Sequence, residues 1–190
     1  MRKIAILASG GGTLAEAIFE AVDKKELACS IETLICDKPD APVIERARKR
    51  NIPVHLHPMY EDRQQWNLDL LSYLHSLSLD LVVSAGFMRI LDHSVTSSLP
   101  IINSHPALLP LFPGAHAVRD ALAAGATKTG TTIHWVDAGV DTGEIIAQAE
   151  LDIAPDDNEE SLHERIKILE RSLIVATIHQ LLSTMENGRS

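Results

Sequence analysis

The sequence predicts a single-domain α/β protein with a Rossmann-like, mostly parallel sheet and helices on both faces. Strands and helices alternate through the first hundred residues, and the first strand runs into three consecutive glycines that open a helix. The chain has 190 residues, 45% of them hydrophobic, which suits one domain with a substantial core. We expect that domain to span 1–190, with a first half of about 1–100 and a second half of about 80–190.

Each predicted strand of the first half is a short apolar run, and the helices show apolar residues at helical spacing. Residues 3–8 form the first strand and 13–23 the first helix, in which Ala15, Ile18 and Val22 recur at that spacing. The alternation continues with strands at 31–36, 54–56, 81–83 and 100–103 and helices at 41–50 and 62–77. It indicates parallel strands with both faces of the sheet covered.

The last third of the chain changes to β-branched residues. Two strands are predicted at 131–136 and 144–151, on either side of a glycine-rich turn at 137–143. Apolar residues then form one stripe along 159–182, which predicts an amphipathic helix packed on the sheet. Prolines stiffen the loop 105–114, and a loop of that kind favours a functional role over simple connection.

Charge and cysteine content exclude several classes of protein. The 17 Lys and Arg residues against 26 Asp and Glu give a formal net charge of −9, which opposes binding to nucleic-acid phosphates or anionic membranes. Cys29 and Cys36 form neither a CxxC pair nor a zinc-binding pattern, so no metal is expected. No apolar stretch approaches the roughly 20 residues of a membrane span. We expect a cytoplasmic protein without nucleic-acid or membrane partners.

Three glycines and a threonine lie between the first strand and the first helix. Backbone N–H groups and the positive helix end attract phosphate there, so Gly10–Gly12 and Thr13 predict a site for a phosphate monoester. The same segment fits the pattern G-x-G-x-x-A, and Asp37 ends the second strand as a ribose-binding acid would. A nicotinamide-dinucleotide module and a plain tight turn therefore stay open as alternatives.

Asn103 and His105 follow a predicted buried strand, so they lie at the carboxyl end of the sheet, where open α/β folds bind ligands. Amide and imidazole donors suit a carbonyl carbon under nucleophilic attack, because the tetrahedral intermediate places negative charge on oxygen. Asp141 is expected at the same edge, where its carboxylate favours the imidazolium form of His105. Backbone capping by Asn103 and simple turn formation by Asp141 stay open as alternatives.

Five segments, in order, carry a resemblance that runs through nearly the whole chain. They are Ser9 to Thr13, Ala85 to Leu91, Asn103 to Pro110, Phe112 to His116, and Asp137 to Gly143. With Gly-Phe-Met-Arg-Ile-Leu and then Asn-x-His-Pro-x-Leu-Leu-Pro, the chain closely resembles the phosphoribosylglycinamide formyltransferase family. The resemblance implies the formyltransferase fold and a metal-free transfer of formyl from 10-formyltetrahydrofolate to the amine of glycinamide ribonucleotide, in purine biosynthesis.

The resemblance also assigns roles to individual residues. The catalytic residues it implies are Asn103, His105 and Asp141. The substrate-binding residues are Gly11, Gly12, Thr13, Leu14 and Glu170, the last on the ribose hydroxyls. The folate-binding residues are Arg63, Met88, Arg89, Ile90, Leu91, Asn103 and Val140. Leu14 departs from the family pattern, in which an Asn helps hold the phosphate, and His116 and His134 are expected to support the loop and the strand.

Three other functions remain open at this stage. Formyltetrahydrofolate deformylase is similar to the same catalytic half of this chain but uses water in place of the amine. Because Leu14 replaces the Asn that helps hold the phosphate, this alternative stays open. Methionyl-tRNA formyltransferase shares the core, but a charge of −9 offers tRNA little. The nicotinamide module is the third. The expected partners are the two small-molecule substrates. The first half is expected to bind the phosphate, and the second half to bind folate and carry out catalysis. The chain is expected to be a monomer or a homodimer.

Overall fold

A computed structural model describes residues 1–187 and contains one seven-stranded sheet with helices packed on both faces. In chain order the elements are β1 (Arg2–Ala8), α1 (Thr13–Asp23), β2 (Cys29–Cys36), α2 (Pro42–Arg48), β3 (Val54–Leu56), α3 (Arg63–Ser76), β4 (Leu81–Ser84), α4 (His93–Thr96), β5 (Ile101–His105), α5 (Ala117–Ala123), β6 (Lys128–Trp135), β7 (Ile145–Asp152) and α6 (Glu159–Asn187). No helix in this part of the chain is long and apolar enough to cross a membrane.

The strands lie in the order β3-β2-β1-β4-β5-β6-β7. Neighbours from β3 through β5 pair in parallel, and β6 pairs antiparallel with both β5 and β7. The predicted mostly parallel α/β sheet is therefore confirmed. The chain passes from β1 outward to β3 and then returns to β4 on the other side of β1, which opens a crevice at the carboxyl ends of β1 and β4.

Alternate residues of β1 enter two separate cores. Ile4 and Ile6 pack with α1, α2 and α6 on one face of the sheet. Ala5 and Leu7 pack with α3 and α4 on the other face. This alternation explains why a strand that is buried on both sides reads as an unbroken apolar run.

Two helices and the ends of several strands differ from the sequence prediction: β2 begins at Cys29 rather than at 31, and β5 continues to His105, which was predicted to lie in the loop 105–114. Helix α4 spans four residues, too few for a helical period to show, and α5 spans seven in a segment that the sequence prediction left unassigned. Strand β6 begins at Lys128. The sequence predicted a start at 131, because Gly130 interrupts the β-branched pattern on which that prediction depended. Glycine is required at that point, since a Cβ would lie 2.0 Å from the carbonyl oxygen of Ala149.

Candidate active site

The carboxyl end of β5 presents Asn103 and His105 on the same face, since they stand two residues apart on a strand. Strand β6 pairs antiparallel with β5 and brings His134 opposite Asn103. The two side chains meet, with Asn103 Nδ2 lying 3.3 Å from His134 Nε2. The sheet register thus adds a second imidazole to the pair predicted from the sequence.

Asp141 reaches this cluster from the turn between β6 and β7. Its backbone has a φ of 55°, a left-handed conformation that Asp tolerates better than most residues. The turn closes on itself, because Asp137 accepts hydrogen bonds from the Thr142 hydroxyl at 2.8 Å and from the Gly139 N–H at 3.0 Å. A Cβ at Gly139 would lie 2.0 Å from Thr142 Oγ1, so this closure requires glycine.

The Asp141 carboxylate contacts both imidazoles. Its Oδ2 lies 3.3 Å from His105 Nδ1 and accepts the Gly114 N–H at 2.8 Å, and its Oδ1 lies 3.5 Å from His134 Nε2. Burial alone would raise the pKa of Asp141, but the hydrogen bonds from His134 and Gly114 and the charge of His105 together lower it below its ordinary value. A charged carboxylate therefore faces the two rings at neutral pH.

His105 has an acceptor at each ring nitrogen. Nδ1 faces the Asp141 carboxylate, and Nε2 lies 2.8 Å from the carbonyl oxygen of Phe112 in the proline-rich loop. Because neither partner donates a proton, the imidazolium form, with both nitrogens protonated, satisfies every contact of this buried ring. The ring is held as a donor.

His134 fixes the orientation of the Asn103 amide. Its Nδ1 lies 2.8 Å from the carbonyl oxygen of Trp135, which places a proton on that nitrogen. Nε2 lies 3.3 Å from Asn103 Nδ2 and 3.5 Å from Asp141 Oδ1, so the ring joins the amide to the carboxylate and the second N–H of Asn103 is left for a ligand. The sequence predicted only structural support from His134, and no spacing pattern could show its contact with Asn103, because the contact depends on strand register.

Residues 9–13, which include the predicted phosphate contacts and are named the phosphate loop, precede α1, and no side chain of residues 1–187 caps that helix. Gly12 occupies the N-cap position with a φ of 73°, and a Cβ there would lie 2.3 Å from Val43 Cγ2. Helix α2 supports the loop, since Gly10 O accepts the Val43 N–H at 3.2 Å and Gly11 O accepts Arg46 Nε at 2.9 Å. An uncapped N-terminus with a positive dipole end is suited to bind an anion.

The Leu14 side chain points away from this loop. It is only 9% exposed and packs in the core beneath α1 and α2, so only its backbone N–H is available to a phosphate. We expect Leu14→Asn to lower the free energy of unfolding by roughly 2 kcal/mol or more without adding a phosphate contact, because it buries an amide in an apolar core. Urea unfolding beside Leu14→Met checks this. A variant of unchanged stability with a lower KM for glycinamide ribonucleotide would show that the side chain faces the ligand.

A second loop, residues 85–91, follows β4 and carries the predicted folate contacts; we name it the folate loop. Met88 is 68% and Ile90 53% exposed, and Val140 in the Asp141 turn is 47% exposed. Exposed apolar side chains in neighbouring loops are typical of a ligand site. Leu91 is buried in the core below, so it offers only its backbone.

Arg63 begins α3 and reaches the folate loop, donating from Nη2 to the carbonyl oxygen of Ile90 at 2.7 Å. No other hydrogen bond from residues 1–187 holds this exposed guanidinium, so it can meet an anionic ligand group. We expect Arg63→Ala to raise the KM for the formyl donor about tenfold with little change in kcat, since uniform binding is lost. Steady-state kinetics beside Gln64→Ala, the exposed neighbour, measures this. A defect confined to kcat would place Arg63 outside the donor site.

Glu170 lies on α6, away from the Asn103 and His105 side chains. It accepts a hydrogen bond from Ser104 Oγ at 2.8 Å, and Ser104 points to the opposite face of β5 from its two neighbours. Glu170 is 8% exposed. Burial raises its pKa, although Ser104, Lys167 and Arg171 act in the opposite direction.

A raised carboxyl pKa has a defined effect on stability. Charged Glu170 costs the folded state free energy, and this cost appears as the pH rises from the unfolded value of about 4.3 through the higher folded pKa. We expect Glu170→Gln to unfold at a higher Tm than the wild type near pH 7 and at an equal Tm in acid, while the KM for glycinamide ribonucleotide rises about tenfold. Thermal unfolding across pH, with exposed Glu164→Gln as control, measures it. A Glu170→Gln variant less stable than the wild type at neutral pH would contradict the raised pKa of Glu170.

A doubly wound sheet with an amide, an imidazole and a carboxylate clustered at its carboxyl edge defines an α/β enzyme of the group-transfer class. The profile of one family, described as formyl transferase, matches residues 2–178. The chain belongs to the formyl transferase family.

Named relatives are similar over nearly the full length. The phosphoribosylglycinamide formyltransferase of Bacillus subtilis (strain 168) is 38% identical over 192 residues, which cover 99% of this chain and 98% of the relative. Its counterpart in Mycobacterium tuberculosis (strain CDC 1551 / Oshkosh) is 40% identical over 186 residues, 94% of this chain and 84% of that one. The crystal structure of the Bacillus halodurans enzyme is 41% identical with a TM-score of 0.93, covering 98% of each chain. The resemblance predicted from the sequence is therefore confirmed.

Proposed function

We propose that this enzyme transfers the formyl group of 10-formyltetrahydrofolate to the amine of glycinamide ribonucleotide, in cytoplasmic purine biosynthesis. The observation that carries the proposal is the Asn103, His105 and Asp141 cluster, whose donors converge at the carboxyl edge of the sheet. The names of the relatives supply the substrates, and the uncapped start of α1 supplies a place for a ribonucleotide phosphate.

The amine nitrogen attacks the formyl carbon and forms a tetrahedral intermediate with negative charge on oxygen. The free N–H of Asn103 and an N–H of His105 stabilise that oxyanion, because both are fixed before the reaction begins. The bond from carbon to folate N10 then breaks, the attacking nitrogen loses a proton, and N10 gains one. His105 supplies the proton that N10 gains, and Asp141 holds the ring charged and oriented.

His105 Nε2 must exchange its partner in this reaction. Its proton is now donated to the carbonyl oxygen of Phe112. The formyl oxygen takes the place of that carbonyl, while Nδ1 keeps its contact with Asp141. A loop that yields one acceptor to the substrate leaves the Asp141 contact in place while the formyl oxygen is bound.

The two substrates occupy two neighbouring loops. The phosphate of glycinamide ribonucleotide binds the N–H groups of Gly11–Leu14 in the first half of the chain. Glu170 takes the ribose hydroxyls with the carboxylate oxygen that Ser104 does not hold. The pterin of the donor lies between the folate loop and Val140 in the second half, with Arg63 toward the benzoyl-glutamate end.

Product analysis tests the proposal. The enzyme, 10-formyltetrahydrofolate and glycinamide ribonucleotide are incubated together, and the ribonucleotide is examined by mass spectrometry. We expect its mass to increase by one formyl group in place of one hydrogen. An unmodified ribonucleotide alongside released formate would contradict the proposal.

The nicotinamide alternative depends on Asp37 as a ribose-binding acid. The Asp37 side chain is fully buried and its Oδ2 accepts Arg89 Nε at 2.6 Å, so it has no surface to offer a ribose. We expect a thermal-shift titration to show stabilisation by 10-formyldihydrofolate and none by NADH. Stabilisation by NADH alone would restore the alternative.

A further inference from the structure

The phosphate loop and the folate loop are joined to each other across the crevice between β1 and β4. The Ser9 N–H donates to the carbonyl oxygen of Gly86 at 3.1 Å, and the Ser9 hydroxyl accepts the Met88 N–H at 2.9 Å. Ser9 is buried, so water does not compete for these bonds. One residue of the phosphate loop thus holds two backbone groups of the folate loop.

A buried ion pair makes a second connection beside Ser9. Asp37 directly follows Cys36, which pairs with Ala8 in the sheet, so Asp37 and Ser9 leave neighbouring strands side by side. Asp37 Oδ2 accepts Arg89 Nε at 2.6 Å, and its Oδ1 has no hydrogen-bond partner among residues 1–187. A fully buried carboxylate with one cationic partner depends strongly on that partner.

These contacts act on the middle of the folate loop. Met88 and Arg89 are held from the phosphate side, whereas Ile90 is held by Arg63 of α3. A pterin ring is recognised at its edge by backbone donors and acceptors, which must be in place before it binds. The backbone at Met88 and Arg89 therefore needs an internal support.

We propose that Asp37 and Ser9 are positioning residues, which hold the folate loop at Met88 and Arg89 in the conformation that receives the formyl donor. Ser9 does so through the Met88 N–H, and Asp37 through the Arg89 side chain. The inference rests on the proposed function, because it takes the folate loop as the donor site. Among residues 1–187, neither Ser9 nor Asp37 forms a hydrogen bond or an ion pair with Asn103, His105 or Asp141. Their loss weakens donor binding and leaves the chemical step of the bound complex largely intact.

The test is a variant that removes the charge of Asp37 and keeps its shape. Asp37→Asn is compared with Asp80→Asn, which breaks an ion pair between Arg2 and Asp80 with the same 2.6 Å separation at the opposite end of the sheet. Binding of 10-formyldihydrofolate is measured by calorimetry, and KM and kcat by steady-state kinetics. We expect Asp37→Asn to raise the donor Kd and KM about tenfold, with kcat within about threefold of wild type, and Asp80→Asn to change neither.

Ser9→Ala keeps the proposal testable if Asp37→Asn does not fold. It removes the acceptor of the Met88 N–H without leaving a buried charge, and we expect a donor Kd about fivefold to tenfold higher. Wild-type donor binding in the folded variants, or an equal loss in Asp80→Asn, overturns the positioning role alone. A wild-type enzyme that does not bind 10-formyldihydrofolate overturns the proposed function, and the positioning role falls with it.

Discussion

Asn103→Ala and His105→Ala should each lower kcat on the order of 10²–10³-fold, the usual effect of removing one preorganised oxyanion donor. Both side chains already have fixed partners, Asn103 at His134 and His105 at Asp141. The enzyme therefore pays no cost to orient them when charge develops on the formyl oxygen. Steady-state kinetics with both substrates saturating measures the loss.

Two controls separate this effect from misfolding. The donor Kd of His105→Ala should stay near the wild-type value, because the folate loop is held by contacts that this substitution does not touch. His75→Ala, on the exposed side of α3, should keep full activity. Near-normal turnover in both Asn103→Ala and His105→Ala would rule out oxyanion stabilisation by this pair.

Asp141→Asn should lower kcat by a factor on the order of 10²–10⁴, comparable to the loss of the orienting carboxylate in other imidazole-based sites. An amide cannot compensate the charge of the His105 imidazolium, and its NH₂ group would face a ring N–H or the Gly114 N–H. The Nδ1–H of the ring is left without a charged acceptor. The donor capacity predicted for His105 therefore falls.

The pH dependence has a definite sign. The pKa of Asp141 lies below its ordinary value in the folded state, so its contribution to stability is present above the unfolded pKa, about 3.9, and is lost as the pH falls through the folded pKa. We expect the stability difference between wild type and Asp141→Asn to shrink below about pH 4. NMR titration of Asp141 and urea unfolding across pH check this. A wild-type Asp141 that titrates above its ordinary range would contradict the cluster as described.

The main strands and helices of the fold could be predicted from periodicity. Residues 3–8 and 13–23 show apolar patterns that only a buried strand and a helix satisfy. The helices α4 and α5 were missed, and α4 has only four residues, too few to show a helical period. Spacing within one strand is equally readable, and Asn103 and His105 share a face for that reason.

Contacts between distant parts of the chain could not be read in the same way. His134 meets Asn103 through strand register, and Arg89 meets Asp37 across 52 positions. Burial also redirects side chains that a motif alone would assign to a ligand, as Leu14 shows. Asp141 was expected at this edge from its turn between two strands, but its contact with His134 depends on how that turn folds back.

The rate of tetrahydrofolate formation from 10-formyltetrahydrofolate, with and without glycinamide ribonucleotide, tests the central claim most directly. A transferase has a phosphate loop because it binds a phosphorylated acceptor, whereas a deformylase needs only water. We expect formation of tetrahydrofolate to depend on the ribonucleotide and to saturate with it. Equal rates in its presence and absence would contradict formyl transfer and identify the enzyme as a hydrolase.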